Sequence, residues 1–142
     1  MSELPDCLYC RRDQRLNDLM IEIVSLKVST LYLFKEQTYR GRCLVAYHSH
    51  VNELFELPDT EVALFMQDVS NAARAMKNTL GAAKINYGAY SDKLPHLHMH
   101  LVPKYPGGPG WGGTFTMMPE AKLILSSGES ATLIAKIKAG LR

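Results

Sequence analysis

The sequence predicts a single α+β domain in which an antiparallel sheet packs against one long helix. Three observations predict it: short apolar segments rich in β-branched residues, short turns between them, and one long apolar stripe at helical spacing. Strands joined by turns, with a helix segregated after them, are typical of an α+β fold with an antiparallel sheet. The 142 residues are enough for one such domain, which we place at 1–142.

Five segments are predicted to be strands because they combine apolar and β-branched residues and end at turn-forming residues. They are 19–24, 29–34, 41–47, 84–89 and 95–103. The polar residues 1–18 before them predict an irregular arm. A final helix is predicted within 127–142, from about residue 128 to 140, with Ser126 or Ser127 as its N-cap.

One long helix is predicted between the third and fourth strands, over 59–80. Asp59 is a suitable N-cap, and Gly81 is well placed to end the helix. The apolar residues of this segment recur at helical spacing, which gives one face that packs on a core. They are Val62, Phe65, Met66, Val69, Ala72, Ala73, Met76 and Leu80.

Composition and charge argue against two classes of protein. The chain is 46% hydrophobic and 21% charged, with a net charge of +2, which is ordinary for a globular domain. Its basic residues are scattered, so no nucleic-acid partner is expected. No apolar run reaches the roughly 20 residues of a membrane helix, and the first residues lack a secretion signal. With three cysteines and no such signal, the expected compartment is the cytoplasm.

Residues 96–100 carry histidines at every second position: His96, His98 and His100. Side chains alternate between the two faces of a strand, so the three rings are predicted to project on one side, roughly 6–7 Å apart. Such a row can bind a metal, hold a phosphate or supply a nucleophilic nitrogen. The alternative is a half-exposed strand that happens to be rich in histidine.

Metal binding is the first chemistry that the pattern allows. Cys7 and Cys10 have CxxC spacing, and thiolates and imidazoles are preferred zinc ligands. Two cysteines supply only two of four ligands, so the others must come from the five histidines. His48 and His50 follow a predicted strand, where a turn can bring one of them to the arm. Otherwise the two thiols are idle cytosolic cysteines.

Nucleophilic catalysis is the second chemistry. A neutral imidazole attacks phosphorus when a neighbour fixes its tautomer and other groups neutralise the phosphate. His98 has a histidine on either side for that purpose. A hydrolytic zinc held by all three histidines is the rival. It requires an open coordination position and usually a carboxylate base, and only Asp92 is close in sequence.

These residues resemble the histidine triad (HIT) superfamily of nucleotide hydrolases and transferases. The family is named for His-x-His-x-His followed by two apolar residues, here 96–102. Asn86-Tyr-Gly88 is similar to the family's Asn-x-Gly ahead of the triad, and 41–50 is similar to Gly-His-x-Leu-Val-x-Pro-x-x-His. The resemblance covers 7 to about 105. It implies a HIT-like fold: a five-stranded antiparallel sheet, one long helix and a C-terminal helix.

The resemblance implies a role for each matching residue. His98 would attack the α-phosphorus of a nucleotide and carry a nucleotidyl-histidine intermediate, which water then opens. His100 would hydrogen-bond a phosphate oxygen, and Asn86 would line the same pocket. The implied substrates are adenosine-5'-phosphoryl compounds, either dinucleoside polyphosphates or phosphoramidates.

The CxxC is similar to that of a zinc-binding branch of the superfamily, the galactose-1-phosphate uridylyltransferases. By that match the ligands of one structural Zn²⁺ would be Cys7, Cys10, His50 and His96. The other two triad histidines would remain free for phosphate.

Two positions depart from the family's pattern. Arg42 stands where the family usually has a histidine; its charged fork can bind phosphate but cannot shuttle a proton near neutral pH. Lys93 stands near where many members have Ser or Thr, and it could bind a second phosphate, which favours dinucleoside polyphosphates. Both are predicted substrate-binding residues. The same departures motivate an alternative function, a nucleotide sensor or partner-binding module with little turnover.

The resemblance also implies a homodimer in which two sheets join into one of ten strands. Trp111, in a loop rich in Gly and Pro after the triad, would then lie near the neighbouring subunit's pocket or serve as a packing residue.

Overall fold

The computed structural model describes residues 5–142 and has the predicted α+β architecture. The five predicted strands are all present, with ends displaced by up to three residues. They are β1 (Met20–Ser25), β2 (Ser29–Phe34), β3 (Cys43–Tyr47), β4 (Lys84–Gly88) and β5 (His98–Lys104). The strands form one antiparallel sheet in the order β1-β2-β3-β5-β4.

The long helix α3 (Asp59–Leu80) has the bounds that its apolar stripe predicts. The predicted N-cap was wrong: Pro58 occupies that position and makes no side-chain cap bond. Asp59 instead lies in the first helical turn, where its negative charge is favourable beside the positive end of the helix dipole. Gly81 ends the helix in the left-handed conformation (φ 69°), and its N–H donates to the carbonyl of Lys77.

The strand that carries the histidines begins at His98, three residues later than predicted. Ahead of it the N–H of His96 donates to the carbonyl of Leu94, and the N–H of Leu97 donates to that of Val51. These bonds make residues 94–97 a turn into the strand. His96 therefore lies just outside β5, close to the N-terminal arm.

The arm before β1 is helical, and the prediction of an irregular arm was wrong. It folds into α1 (Leu8–Arg11) and α2 (Gln14–Leu19). Arg12 ends α1 with a left-handed backbone (φ 52°), and the carboxylate of Asp13 caps α2 by accepting the N–H of Arg15. The prediction relied on the average polarity of this segment and did not take account of three apolar residues that are buried against the sheet. They are Leu8, Tyr9 and Leu16.

Different parts of the chain cover the two faces of the sheet. On one face α3, backed by α4 (Ser127–Gly140), buries a core to which the strands contribute Leu31, Leu33, Val45 and Leu101. On the other face the arm buries a smaller cluster with Tyr32, Phe34, Leu44 and Ala46. Burial of apolar surface on both faces stabilises the fold.

The helix α4 begins where predicted, because Ser126 and Glu129 form a capping box. Between β5 and α4, residues 105–125 form what we name the return segment. It passes the loop after β2, where the N–H of Leu123 donates to the Glu36 carboxylate and the N–H of Gln37 donates to the Leu123 carbonyl. Within residues 5–142, no helix is both long and apolar enough to cross a membrane.

Candidate active site and metal cluster

His98 and His100 lie side by side on β5 and project from the sheet face opposite α3. The register places His98 across from Ala46 on β3, and His100 across from Gly88 on β4. Both histidines are buried, and their ring centroids are 5.2 Å apart. The alternation of a strand therefore puts the pair on one face, as predicted, at a shorter spacing than expected.

The two ring nitrogens of His98 have different surroundings. Nδ1 lies 2.6 Å from the carbonyl oxygen of His96 and 3.3 Å from the hydroxyl of Ser91. A carbonyl only accepts hydrogen bonds, so we assign the proton of the neutral ring to Nδ1, and Nε2 keeps its lone pair. Burial lowers the pKa of His98 although the carbonyl contact acts in the opposite sense. The site therefore favours a neutral imidazole with an unprotonated Nε2.

The assignment is reversed in His100. A terminal nitrogen of Arg42 lies 3.2 Å from Nδ1 of His100, and a guanidinium can only donate. Nδ1 is therefore the acceptor, and the proton of the neutral ring is on Nε2. Burial, then the neighbouring His98 and Arg42, lower the pKa of His100 from 6.5 to about 3. His100 is thus a neutral hydrogen-bond donor throughout the physiological pH range.

Arg42 has no exposed surface. One terminal nitrogen donates to the Met117 carbonyl at 2.8 Å, the other donates to His100, and the guanidinium lies 4.3 Å from the ring centroid of Phe34. Burial lowers the pKa of Arg42 to about 10, so it remains charged. The sequence predicts Arg42 as a phosphate ligand. The structure places it behind His100, with its two terminal nitrogens donating within the protein.

The two other predicted substrate-binding residues lie in different surroundings. Asn86 is half-buried on β4 across from Val102, on the sheet face that carries His98 and His100. Lys93 is exposed in the turn before His96. The structure brings Asn86 to the face of the histidine pair and leaves Lys93 in solvent.

Two aromatic side chains that the sequence analysis missed border His100. The rings of Tyr90 and Phe115, which we name the aromatic wall, are 6.5 and 6.1 Å from His100 and 6.3 Å from each other. A Cβ at Gly88 would lie 2.8 Å from Tyr90 and 3.1 Å from Phe115. This close approach explains the glycine of the Asn-x-Gly motif. Tyr90 lies two residues beyond that motif, and this position was the one sequence signal for an aromatic residue at the site.

The return segment is held beside the site by buried polar groups. The ammonium of Lys104 donates to the carbonyls of Gly110 and Gly113 at 2.7 and 2.9 Å. The N–H of Thr116 donates to the hydroxyl of Tyr39. These bonds hold the chain on either side of Phe115. Trp111, in the same loop, is 47% exposed.

A second group of chemically active side chains lies under the arm. The metal cluster consists of Cys7, Cys10, His50 and His96, whose ligand atoms all lie within 4.8 Å of one another. The shortest separations run from 3.3 Å, between the two Nδ1 atoms, to 3.5 Å, from Cys10 Sγ to either of them. The four residues named from the resemblance are therefore adjacent in the folded chain.

The metal cluster fits a zinc ion. A tetrahedral site with ordinary Zn–N and Zn–S distances separates its ligands by about 3.3–3.8 Å. His96 donates Nε2–H to the Tyr47 carbonyl at 2.7 Å, which leaves the Nδ1 lone pair facing the sulfurs. Burial and then the neighbouring Cys7 raise the pKa of Cys10 to about 11. A bound cation would remove that penalty on the Cys10 thiolate.

A zinc held by the three triad histidines does not fit the same geometry. His96 turns Nδ1 toward the cysteines, His98 commits Nδ1 to a carbonyl, and the Nδ1 of His100 accepts from Arg42. In the part of the chain that the structure describes, the metal cluster is the one group of three or more such ligands.

The groove between the two long helices does not coincide with this chemistry. An open groove of about 860 Å³ lies between α3, α4 and the turn after β1, and no histidine lines it. We therefore locate the candidate site from the arrangement of its side chains and not from cavity volume.

Comparisons with known proteins place the chain in a family. The model of the HIT domain family matches residues 23–107, and the chain belongs to that family. Two curated relatives are distant. Protein hit of Bacillus subtilis (strain 168) is 26% identical over 89 residues, which cover 59% of this chain and 61% of that protein. The adenosine 5'-monophosphoramidase of Saccharomyces cerevisiae is 25% identical over 99 residues, which cover 69% of this chain and 62% of that protein. The match thus spans about six tenths of each relative's length.

Solved structures share the fold over most of the chain. A histidine triad (HIT) protein of Sinorhizobium meliloti 1021 superposes with a TM-score of 0.83 at 25% identity, over 91% of this chain and 95% of that one. A Zn-bound histidine triad family protein of Mycobacterium smegmatis has a TM-score of 0.67 at 22% identity, over 94% of each chain. The family match begins at residue 23, so it does not include the arm with Cys7 and Cys10.

Proposed function

We propose that the protein is a nucleotide hydrolase or nucleotidyltransferase that cleaves the bond to the α-phosphate of adenosine-5'-phosphoryl compounds. The 2.6 Å hydrogen bond between His98 Nδ1 and the His96 carbonyl carries the proposal. It commits one ring nitrogen and leaves Nε2 as the nucleophile of a neutral imidazole. Membership of the HIT family and the distant monophosphoramidase relative support the same class of reaction.

The reaction consists of two displacements at phosphorus. His98 Nε2 forms a bond to the α-phosphorus, and the bond from phosphorus to the leaving group breaks. The leaving group keeps that electron pair and takes a proton from solvent. Water then attacks the same phosphorus, the P–N bond breaks with its electrons returning to Nε2, and a proton is released with the nucleoside monophosphate. Another nucleophile in place of water gives transfer.

His100 holds the phosphate during both displacements. Its Nε2–H donates to a non-bridging oxygen on which negative charge develops. Asn86 supplies an amide from β4, on the same sheet face. We propose that Arg42 acts on the substrate indirectly, by fixing the tautomer of His100. We propose that Lys93 binds a second phosphate of a polyphosphate substrate. The aromatic wall gives the nucleoside an apolar surface beside the phosphate.

We propose that Cys7, Cys10, His50 and His96 hold a structural zinc ion. The ligand spacing and the orientation of His96 support this, and the solved relative from Mycobacterium smegmatis is described as Zn-bound. A bound ion would link the arm to the residues just before β5 and would supply no group to the reaction. The reaction itself depends on His98 and His100.

We also propose that the protein is a cytoplasmic homodimer. β4 is an outer strand of the sheet, and its free edge is where a second copy would extend the sheet to ten strands. Tyr87 on this strand is 55% exposed. Sedimentation of the wild-type protein should give twice the chain mass, and a monomer at micromolar concentration would contradict the dimer.

Turnover of adenosine phosphoramidate and diadenosine tetraphosphate tests the proposed reaction. We expect release of AMP from at least one of them, and a loss of at least about 1,000-fold in kcat for His98→Ala. His48→Ala is the matched control, because this exposed histidine contacts the hydroxyl of Ser25 and lies outside the site. Equal rates from the wild type and His98→Ala would refute the proposal.

The alternative function is a nucleotide sensor with little turnover. The buried Arg42 favours it, because an arginine at this position cannot exchange protons near neutral pH. This alternative predicts tight AMP binding by calorimetry with no turnover of either substrate. Rapid turnover would dismiss it.

A further inference from the structure

Tyr9 lies between the two cysteines of the metal cluster in sequence and against the histidines in space. Its ring centroid is 5.1 Å from that of His98 and 5.0 Å from that of His96, and the planes are tilted by 34° and 32°. Tyr9 is 5% exposed. It belongs to the arm, outside residues 23–107 that match the family. The arm therefore places an aromatic ring next to the proposed nucleophile.

The ring of His98 is flanked by aromatic neighbours as well as hydrogen-bonded. The plane of the Tyr9 ring is tilted by 34° from that of His98, and the ring of His100 meets His98 at 67°. The bond from Nδ1 to the His96 carbonyl fixes one atom of the ring and leaves it able to pivot. Contacts with these two neighbouring rings oppose that movement, so they determine where Nε2 points.

We propose that Tyr9 is a positioning residue for His98. Its ring fixes the orientation of Nε2 and faces the positive charge that the imidazole acquires when it bonds to phosphorus while keeping its Nδ1 proton. An aromatic face attracts such a cation. The kinetic effect that we expect from Tyr9 rests on the proposed function. The orientation of the His98 ring, in contrast, can be measured without substrate.

The ring of Tyr9, and not its hydroxyl, carries this role. The hydroxyl is buried and has no hydrogen-bond partner within residues 5–142. Tyr9→Phe keeps the ring and removes only that group, whereas Tyr9→Leu keeps a similar apolar volume and removes the aromatic face. Leu16→Ala loosens the same buried cluster of the arm without a ring contact to His98, and it is the control for general destabilisation.

Single-turnover and steady-state kinetics of the metal-loaded protein test the inference. Tyr9→Leu should lower kcat by about 10- to 100-fold with KM changed by less than about threefold. Tyr9→Phe should stay within about twofold of the wild type, and Leu16→Ala within about threefold. Bound metal is measured in every variant and should be unchanged. The inference is overturned if Tyr9→Leu retains wild-type kcat, if Leu16→Ala loses as much, or if the loss follows metal content.

A spectroscopic measurement separates this inference from the proposed reaction. In ¹⁵N–¹H spectra of the imidazole rings, His98 should give a protected Nδ1–H signal in the wild type and Tyr9→Phe. That signal should exchange faster with water in Tyr9→Leu. This result supports the positioning role even if the wild type turns over neither substrate, in which case the proposed reaction alone fails. Identical exchange in all three proteins overturns the positioning role.

Discussion

His96 of the metal cluster and His98 of the neighbouring histidine pair are both buried, but they use opposite ring nitrogens. His96 donates Nε2–H to the Tyr47 carbonyl and turns Nδ1 toward the cysteines. His98 donates Nδ1–H to the His96 carbonyl and keeps Nε2 free. The three histidines are equivalent in sequence spacing. The partner of the second nitrogen therefore distinguishes them, and it assigns one to metal and another to nucleophilic attack.

His100 extends the comparison. It is buried like His98, but its Nδ1 accepts from Arg42 and its Nε2 carries the proton. One buried arginine thus turns the third histidine from a second nucleophile into a neutral donor. The following changes are designed to break these assignments one at a time.

Removing the cysteines should have the largest effect on the metal cluster. Cys7→Ala combined with Cys10→Ala should lose the roughly one zinc per chain that we expect, with a lower Tm, because metal binding to such a site contributes directly to folding. The reaction at His98 should be weakened but not abolished. Elemental analysis and thermal unfolding measure the two effects.

The control for that double variant is Cys43→Ala, which removes a buried thiol on the opposite side of the sheet. It should keep its zinc. Zinc that remains in the double cysteine variant but is lost from His98→Ala would instead support a metal held by the triad.

Replacing Arg42 should disturb the tautomer assigned to His100. Arg42→Met removes the donor to His100 Nδ1 and the positive charge beside it, so the pKa of His100 should rise from about 3. We expect kcat to fall by about 10- to 100-fold. The acid limb of the kcat profile should also move to higher pH, because His100 without the neighbouring charge of Arg42 takes up a second ring proton at higher pH. Its positive charge then opposes the charge that His98 acquires when it bonds to phosphorus. His98 and Tyr90, which also face His100, are unchanged.

The pH profile distinguishes this effect from simple destabilisation, which would lower kcat equally at every pH. Arg42→Lys, which keeps the positive charge, should recover part of the activity. Arg40→Met is the matched control, because Arg40 is exposed and lies outside the site. An unchanged profile in Arg42→Met would contradict the assigned tautomer of His100.

The burial of His100 predicts how the stability of the protein depends on pH. Folded His100 stays neutral down to about pH 3, whereas the unfolded chain takes up this proton below its usual pKa of 6.5. The unfolded state therefore binds more protons between these values, and stability falls as pH falls through that window. His100 should lower the free energy of unfolding by about 2 kcal/mol between pH 7.5 and pH 5.

Urea unfolding of the wild type and His100→Asn at the two pH values measures that contribution, because all other groups are shared. The wild type should lose more stability on acidification than the variant. Equal losses would mean that His100 titrates normally in the folded protein.

The smallest effect is expected at Lys93, which is exposed in its turn. Lys93→Ala should raise KM for diadenosine tetraphosphate by about two- to fivefold and leave KM for adenosine phosphoramidate unchanged, since only the first substrate has further phosphates. Equal KM changes for both substrates would argue against a second phosphate site at this residue.

Local patterns were sufficient to predict the strands, the long helix and the N-cap of the C-terminal helix. The stripe of α3 and the Ser126 cap depend on residues close in sequence, so they could be read directly. The helical arm could not, because the burial of Tyr9 and Leu16 depends on a sheet that forms later in the chain.

The site was predictable in its residue types and less so in its contacts. The triad and the CxxC named the chemically active side chains, and the family resemblance supplied the four ligands that the fold brings together. The burial of Arg42 and the aromatic wall were not predictable. Both depend on the return segment, which contributes Met117 and Phe115 from far along the chain.

Trapping the covalent intermediate tests the central assignment most directly. Wild-type protein mixed with excess adenosine phosphoramidate or diadenosine tetraphosphate is quenched in alkali, which preserves a P–N bond, and its peptides are analysed by mass spectrometry. We expect adenylate on the peptide that contains His98, at Nε2, and none in His98→Ala. Turnover with adenylate on another residue, or turnover that continues unchanged in His98→Ala, would contradict the assignment of His98 as the nucleophile.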